Sequence, residues 1–133
     1  MSRIRVLLAD DDLPLRTLIR IRLERDGRFD IVAEADDGNQ AIGLTEEHDP
    51  DLLLLDLSMP GMDGLQVLRE LGQRDRPVIA VLTGFVDQDL EDQALAAGAA
   101  AYLTKGSAFG QLNDHLPALL TELQPAQRPP TSA

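Results

Sequence analysis

The segment that most constrains the fold is residues 52–64, LLLLDLSMPGMDG. Its four consecutive leucines lack the alternation of a half-exposed strand, which predicts a strand covered on both faces, as at the centre of a parallel sheet. Asp56 follows the leucines directly. It is therefore expected at the C-terminal tip of that strand, where open α/β sheets bind their ligands. Pro60 and Gly64 then predict a sharp turn into the next helix.

Four other apolar runs predict strands, at residues 4–9, 30–35, 77–82 and 99–104. Helical patterns alternate with them, at residues 13–25, over about ten residues from Gly38, and at 65–71, 87–97 and 109–123. Five such strand-helix units predict an α/β fold with a doubly wound parallel sheet. Pro117 lies inside the last helical pattern and predicts a kink there.

Details of two helices can also be predicted. In the first, Leu15, Leu18, Ile19 and Leu23 form the expected apolar stripe. In the fourth, small residues dominate and Gly98 is the expected C-cap. Because small residues bury little apolar area, we expect the fourth helix to be among the more mobile elements.

Polar side chains follow several of the predicted strands. Right-handed crossovers bring the C-terminal ends of parallel strands to one edge of the sheet, so these side chains should meet there. Three carboxylates, one hydroxyl and one ammonium group make up this set, and no requirement of packing explains them. The residues are Asp10, Asp11, Asp56, Thr83 and Lys105.

Three clustered carboxylates repel one another, and a divalent cation is the simplest relief. Mg²⁺ prefers oxygen ligands and is typically held by one or two carboxylates together with phosphate oxygens. Asp11 and Asp56 are the expected direct ligands, and Asp10 is expected to hold a metal-bound water. A backbone carbonyl near Ser58 would complete the protein's share.

A carboxylate can also act as a covalent nucleophile toward a phosphoryl group. Attack by Asp56 requires neutralisation of charge on the phosphoryl oxygens. Mg²⁺ can neutralise one oxygen, the ammonium of Lys105 a second, and the hydroxyl of Thr83 with nearby backbone N–H groups the third. The set predicts a site that accepts a phosphoryl group.

Over residues 3–123 the chain resembles the receiver domain of bacterial two-component response regulators. Four motifs carry the resemblance: ADDD at 9–12, LLLLDLSMPGMDG at 52–64, VLTG at 81–84 and AYLTKG at 101–106. Many receivers have proline after the lysine of the last motif, whereas this chain has Gly106, as in NarL/FixJ-type receivers. The segment LERDGRFDIVAEADDG also resembles that group.

The resemblance implies a flavodoxin-like (βα)5 domain with strand order 2-1-3-4-5. It implies Asp56 as phosphoacceptor, Asp10 and Asp11 for Mg²⁺, Thr83 as switch hydroxyl, Tyr102 as switch aromatic and Lys105 as phosphoryl-binding cation. A sensor histidine kinase or a phosphotransfer protein would be the donor. The chain would then be a phosphoprotein that catalyses only its own phosphorylation and dephosphorylation, and not an enzyme.

Phosphorylation is expected to shift the face formed by the fourth helix, fifth strand and fifth helix, which would bind a second copy or an output domain. Ser58 and Phe85, two residues beyond Asp56 and Thr83, flank the expected approach of hydrolytic water. Neither offers an acid or amide to orient that water, which predicts a long-lived phosphorylated state.

The predicted domain covers residues 1–123, and the Pro-rich residues 124–133 form a tail or the start of a linker. NarL/FixJ-type proteins commonly continue into a helix-turn-helix domain, so the chain is either a stand-alone receiver or part of a longer regulator. A net charge of -11, from 12 basic and 23 acidic residues, argues against direct nucleic-acid binding. The absence of cysteine and of any apolar run near ~18 residues favours a cytoplasmic protein without a membrane segment.

Two other classes stay open on the residues alone. A haloacid-dehalogenase-like phosphatase also uses a strand-end Asp, and residues 10–12 contain its Asp-x-Asp spacing. However, Pro14 stands where that motif expects Thr or Val, and no acidic pair follows Lys105. A pseudo-receiver acting without phosphorylation is the other class. The identity of the phosphorylated residue, Asp10 or Asp56, distinguishes the phosphatase.

Overall fold

The computed structural model describes residues 3–57, 64–84 and 87–105 of the 133-residue chain. Its elements in chain order are β1 (Ile4–Ala9), α1 (Leu13–Asp26), β2 (Phe29–Ala35), α2 (Gly38–His48), β3 (Leu52–Asp56), α3 (Gly64–Leu71), β4 (Val78–Thr83), α4 (Gln88–Ala96) and β5 (Ala101–Thr104). The predicted turn at Pro60, the last helix with its Pro117 kink, and the tail at 124–133 lie outside the described residues.

The strands form one parallel sheet in the order β2-β1-β3-β4-β5, which confirms the predicted doubly wound fold. Its register aligns the C-terminal ends of the inner strands. Ala9 pairs with Leu55, so Asp10 and Asp56 follow side by side. Thr83 pairs with Thr104, which places Lys105 one residue beyond that pair.

The leucine run of β3 is buried along its whole length, as its sequence predicts. Leu53 and Leu55 pack into a core cluster with buried residues of α2, α3 and α4. Leu52 and Leu54 belong to a second cluster, with Ile19 and Leu23 of α1. Burial on both faces explains the absence of alternation, and it fixes Asp56 at the end of the most deeply buried strand.

The predicted apolar stripe of α1 is wrong at one position. Ile19 and Leu23 are buried and Leu15 packs against their cluster, but the side chain of Leu18 is 52% exposed. Leu15, Ile19 and Leu23 form a row four residues apart, and Leu18 projects about 100° around the helix from the centre of that row. The buried face of α1 is therefore narrower than the sequence pattern predicts.

The N-termini of three helices are capped by aspartates. Asp12 accepts a hydrogen bond from Leu15 N at 3.1 Å, and Asp37 accepts one from Gln40 N at 2.8 Å. Asp87 accepts hydrogen bonds from the first turn of α4. These bonds satisfy backbone donors that have no partner within the helix.

The end of α4 differs from the prediction. Ala97, not Gly98, is the C-cap, and Gly98 follows with a φ of 118°. Ala99 N donates to Ala94 O at 3.0 Å, so Ala99 completes the helix end instead of starting a strand. As a result β5 begins at Ala101, two residues later than predicted. Among the helices of the three described ranges, none has the length and hydropathy that crossing a bilayer requires.

Candidate functional site

Three carboxylates meet at the C-terminal edge of the sheet. Asp10 and Asp56 follow or end neighbouring strands, and Asp11 lies in the loop after β1. One carboxylate oxygen from each lies within 4.8 Å of the other two. Asp10 and Asp56 are only 4% and 2% exposed, whereas Asp11 is exposed. The cluster is therefore buried on one side and open to solvent on the other.

Lys105 bridges the two buried carboxylates. Its Nζ lies 3.0 Å from Asp10 Oδ2 and donates to Asp56 Oδ2 at 3.4 Å. Burial alone would lower the pKa of Lys105, but the neighbouring carboxylates of Asp10 and Asp56 outweigh it and raise that pKa above its ordinary value. Lys105 consequently carries its full charge at neutral pH.

Hydrogen bonds fix both the backbone and the carboxylate of Asp10. Its backbone N donates to Ala35 O at 3.0 Å, and its Oδ1 accepts a hydrogen bond from Asp12 N at 2.8 Å. Its backbone carbonyl accepts a hydrogen bond of 2.6 Å from Arg16 Nη1. The prediction from sequence missed Arg16. The available signal was weak, namely one arginine in the helical turn that follows the acidic loop.

Thr83 and Tyr102 lie on adjacent strands beside this cluster. Tyr102 pairs with Val81, two residues before Thr83 in β4. The hydroxyls of both are buried, and no hydrogen bond of normal geometry reaches either from the described residues. Burial raises the pKa of Tyr102, the Thr83 hydroxyl opposes that rise, and the charges of Asp87 and Glu91 add to it.

The residues present suit a hard divalent cation. Carboxylate oxygens are the donors that Mg²⁺ prefers, and three of them converge here. Asp10 Oδ2 is also buried and accepts no hydrogen bond of normal geometry from the described residues, although Lys105 lies beside it. This oxygen therefore already faces one positive charge, that of Lys105.

The structure thus brings together five of the predicted site residues and places Tyr102 next to them: Asp10, Asp11, Asp56, Thr83 and Lys105. Ser58 and Phe85 lie outside the described residues, so the predicted carbonyl ligand and the two positions flanking the water approach stay predictions.

Comparisons with known proteins agree with this geometry. Residues 6–117 match the response regulator receiver domain family. The chain is 40% identical over 108 residues to the transcriptional regulatory protein PdtaR of Mycobacterium tuberculosis, covering 81% of this chain and 52% of PdtaR. It is 37% identical over 102 residues to the chemotaxis protein CheY of Bacillus subtilis, covering 76% of this chain and 84% of CheY.

A solved structure shows the same fold. The signal receiver domain of NarL from Mycobacterium tuberculosis superimposes with a TM-score of 0.85 at 32% identity, covering 91% of this chain and 98% of that domain. The chain spans about half the length of PdtaR and of several other curated relatives, and most of the length of CheY. It belongs to the family of receiver domains of two-component response regulators, with relatives that include NarL.

Proposed function

We propose that the chain is an active phosphoacceptor, which takes a phosphoryl group from a sensor histidine kinase, or from a phosphotransfer protein, onto Asp56 in the cytoplasm. One observation carries the proposal. Three carboxylates lie within 4.8 Å of one another, and Lys105 Nζ reaches two of them at 3.0 and 3.4 Å. Receivers of two-component systems take part in phosphoryl transfer from histidine kinases. An intact acid cluster in contact with Lys105 supports active chemistry over a purely binding role.

In the proposed step, a carboxylate oxygen of Asp56 attacks the phosphorus of a phosphohistidine. The O–P bond forms as the P–N bond breaks, and the electron pair of that bond stays on the donor's imidazole nitrogen. Phosphoryl transfer depends mainly on positioning and charge stabilisation. Lys105, already beside Asp56 Oδ2, supplies a positive charge for the phosphoryl oxygens, and the Thr83 hydroxyl is a donor at the next strand.

Mg²⁺ is the proposed cofactor, held by Asp10, Asp11 and Asp56, with the Ser58 carbonyl as a further ligand. When bound, it would neutralise negative charge on the transferred group. The exposed side of the cluster at Asp11 leaves room for solvent and for the incoming phosphoryl donor.

The proposed switch runs from Thr83 to Tyr102. If Thr83 turns toward a phosphoryl group on Asp56, it vacates space next to Tyr102. The Tyr102 side chain can then turn inward into that space. Tyr102 packs against the cluster that includes Ala94 of α4, so its movement would bias the face of α4, β5 and the last helix. A second copy of the chain or an output domain is the proposed partner at that face.

Intact mass spectrometry tests the phosphoacceptor. Wild type incubated with acetyl phosphate and Mg²⁺ is expected to gain one phosphoryl group, and Asp56→Asn is expected to gain none. Asp11→Asn and a magnesium-free sample should react much more slowly. A wild-type chain without an adduct would support the pseudo-receiver.

The same experiment separates the phosphatase alternative. Asp10 is less suited to attack, because its Oδ1 already accepts a hydrogen bond from Asp12 N at 2.8 Å. An adduct that survives in Asp56→Asn and maps to Asp10 would favour the phosphatase. The match of residues 6–117 to receiver domains already favours Asp56.

The lifetime of the phosphorylated state is a further part of the proposal. Phe85 offers no group to orient water, so Phe85→Glu is expected to lose its phosphoryl group faster than wild type, with Ser58 unchanged. An unchanged rate of dephosphorylation in Phe85→Glu would contradict the assignment of this position.

The output is proposed by analogy to the relatives. PdtaR is a transcriptional regulatory protein and CheY a chemotaxis protein. We propose that this receiver is either the N-terminal part of a DNA-binding transcriptional regulator or a stand-alone protein. We propose residues 1–123 as the receiver unit and 124–133 as a tail or linker. With a net charge of -11, the receiver itself is not expected to bind DNA.

A further inference from the structure

Arg16 makes contacts that the proposed chemistry does not use. Its side chain is 12% exposed, on the first turns of α1. Nη1 donates to Asp10 O at 2.6 Å and to Ala35 O at 3.2 Å. Nε donates to Glu34 Oε1 at 2.8 Å. One guanidinium thus joins the C-terminal ends of β1 and β2 beside the acid cluster.

We propose that Arg16 is a positioning residue for the cation site, an inference that rests on the proposed function. The carbonyl that Arg16 binds belongs to Asp10, whose carboxylate is one of the three in the cluster. Fixing that carbonyl fixes the backbone from which the Asp10 side chain and the Asp11 loop project. Glu34 in turn fixes the guanidinium, so β2 contributes to the site through Arg16.

The energetic reason is the repulsion among the three carboxylates. Without a cation, the loop that carries Asp10 and Asp11 can relieve the repulsion by moving away from Asp56. Two hydrogen bonds from Arg16 oppose that movement, since they bind the loop to the end of β2. A guanidinium is suited to this role because its rigid fork can bind a carboxylate and carbonyls at the same time.

Arg20 provides a matched control on the same helix. Its Nε lies 3.1 Å from Glu34 Oε2, so it carries the same charge and binds the same glutamate as Arg16. Within the described residues, the hydrogen bonds to the backbone carbonyls of Asp10 and Ala35 come from Arg16 and not from Arg20. Arg16→Met and Arg20→Met therefore remove equal charge, but only the first removes a contact to the site.

The direction in which Mg²⁺ affinity changes on replacing Arg16 distinguishes a positioning role from an electrostatic one. Removing a positive charge near a cation site should by itself strengthen Mg²⁺ binding. Loss of positioning should weaken it. Residues that orient metal ligands typically change metal affinity by about 10–100-fold when removed. We expect Arg16→Met to bind Mg²⁺ about tenfold more weakly than wild type and Arg20→Met to bind it equally or slightly more tightly.

The experiment is a titration of the full chain with MgCl₂, followed by amide NMR shifts, on wild type, Arg16→Met, Arg16→Lys, Arg20→Met and Asp11→Asn. Arg16→Lys keeps the charge but loses the fork, so it should also bind more weakly than wild type. If Arg16→Met does not give a folded spectrum, the Mg²⁺ affinity of Arg16→Lys alone tests the positioning role. Urea unfolding of each variant separates a change in affinity from a change in stability.

Equal affinity of wild type and both Arg16 variants would overturn the inference and leave the proposed function intact. An equal loss in Arg16→Met and Arg20→Met would also overturn it, because the contact with Glu34 that both arginines make, or general stability, would then explain the effect. If wild type shows no saturable binding, or if Asp11→Asn binds as wild type does, the proposed cation site itself fails.

Discussion

The hydroxyls of Thr83 and Tyr102 are both buried on adjacent strands, and no hydrogen bond of normal geometry satisfies either one from the described residues. They still interact, because the Thr83 hydroxyl opposes the rise in the pKa of Tyr102 that burial causes. Buried hydroxyls that lack hydrogen bonds of normal geometry are uncommon in folded proteins, and each calls for an explanation. The pair is therefore a natural place for a rearrangement.

Tyr102 is expected to ionise above its ordinary pKa of 10.0. The chain contains one tyrosine and no tryptophan, so tyrosinate absorbance at 295 nm in a pH titration reports Tyr102 alone. Because the pKa is raised in the folded state, the associated stability is complete below the unfolded pKa. It is lost as the pH rises through the folded pKa.

Thr83→Val is the matched variant for this titration. Valine has nearly the same shape but no hydroxyl, so the interaction that lowers the pKa of Tyr102 disappears and the midpoint should rise further. In urea, both proteins should titrate near the ordinary tyrosine value, about 10. A folded wild-type midpoint at or below that of the unfolded chain would contradict the burial of Tyr102.

Gly98 is expected to be intolerant of a side chain. Its φ is +118°, and a Cβ there would collide with the backbone of Gly72 at the end of α3. Gly98→Ala should lower the free energy of unfolding by about 1–3 kcal/mol, from backbone strain and displacement of the α3 end. Chemical denaturation followed by far-UV circular dichroism measures the change.

Gly43 is the control for that substitution. It lies within α2, and a Cβ there would meet nothing within 4 Å. Gly43→Ala should therefore raise the free energy of unfolding by about 0.5–1 kcal/mol, because alanine favours the helix. Equal effects at the two positions would show that the close approach of Gly72 and Gly98 is not important for stability.

Much of the fold was predictable because its signals are local and strong. The uninterrupted leucines of β3 predicted burial on both faces, and the aspartates at strand ends predicted the edge at which they meet. Each follows from one stretch of chain and the parallel topology. The strand order 2-1-3-4-5 came from the resemblance to receiver domains and is confirmed.

The parts that sequence missed depend on contacts between distant segments. Arg16 binds the carbonyls of Asp10 and Ala35, and only its place in the turn after the acidic loop distinguishes it from Arg20 in the sequence. The late start of β5 also depends on a hydrogen bond from Ala99 N to Ala94 O, which competes with pairing to β4. Such competition is decided by the packed structure and not by propensity.

The α4 helix is expected to open more readily than α3. Val67, Leu68 and Leu71 anchor α3 in the core, whereas Ala94 is the buried residue of α4 and Leu95 is 44% exposed. Hydrogen exchange depends on the free energy of local opening, which rises with buried apolar contact.

Exchange measured by mass spectrometry should be faster, by about tenfold after correction for intrinsic rates, in peptides from residues 88–96 than in peptides from 64–71. An unfolded sample in deuterated urea supplies the reference for each peptide. Equal protection of the two helices would mean that α4 is held by contacts beyond those of Ala94 and Leu90. That result would argue against α4 as the element that responds to Tyr102.

Neutralising Asp56 is expected to stabilise the metal-free chain. Three carboxylates face one ammonium at this edge, so the cluster carries excess negative charge in a partly buried place. Asp56→Asn removes the repulsion from Asp10 and Asp11, and it also weakens the attraction to Lys105. We expect the free energy of unfolding of Asp56→Asn, at neutral pH in EDTA, to exceed that of wild type by about 1 kcal/mol. Functional sites are commonly kept at the expense of stability.

Asp51→Asn is the control, because that carboxylate lies outside the acid cluster and binds two arginines. Its Oδ1 lies 3.0 Å from Arg76 Nη2, and its Oδ2 accepts a hydrogen bond from Arg5 N at 2.9 Å. This substitution should lower stability, by about 1 kcal/mol, at the opposite end of the sheet from the cluster. Mg²⁺ should then raise the unfolding midpoint of wild type and Asp51→Asn, but much less that of Asp56→Asn, because a ligand stabilises only the state that binds it. If Asp56→Asn were less stable than wild type in EDTA, the attraction of Lys105 would outweigh the repulsion, and the cluster would not need a cation to relieve it.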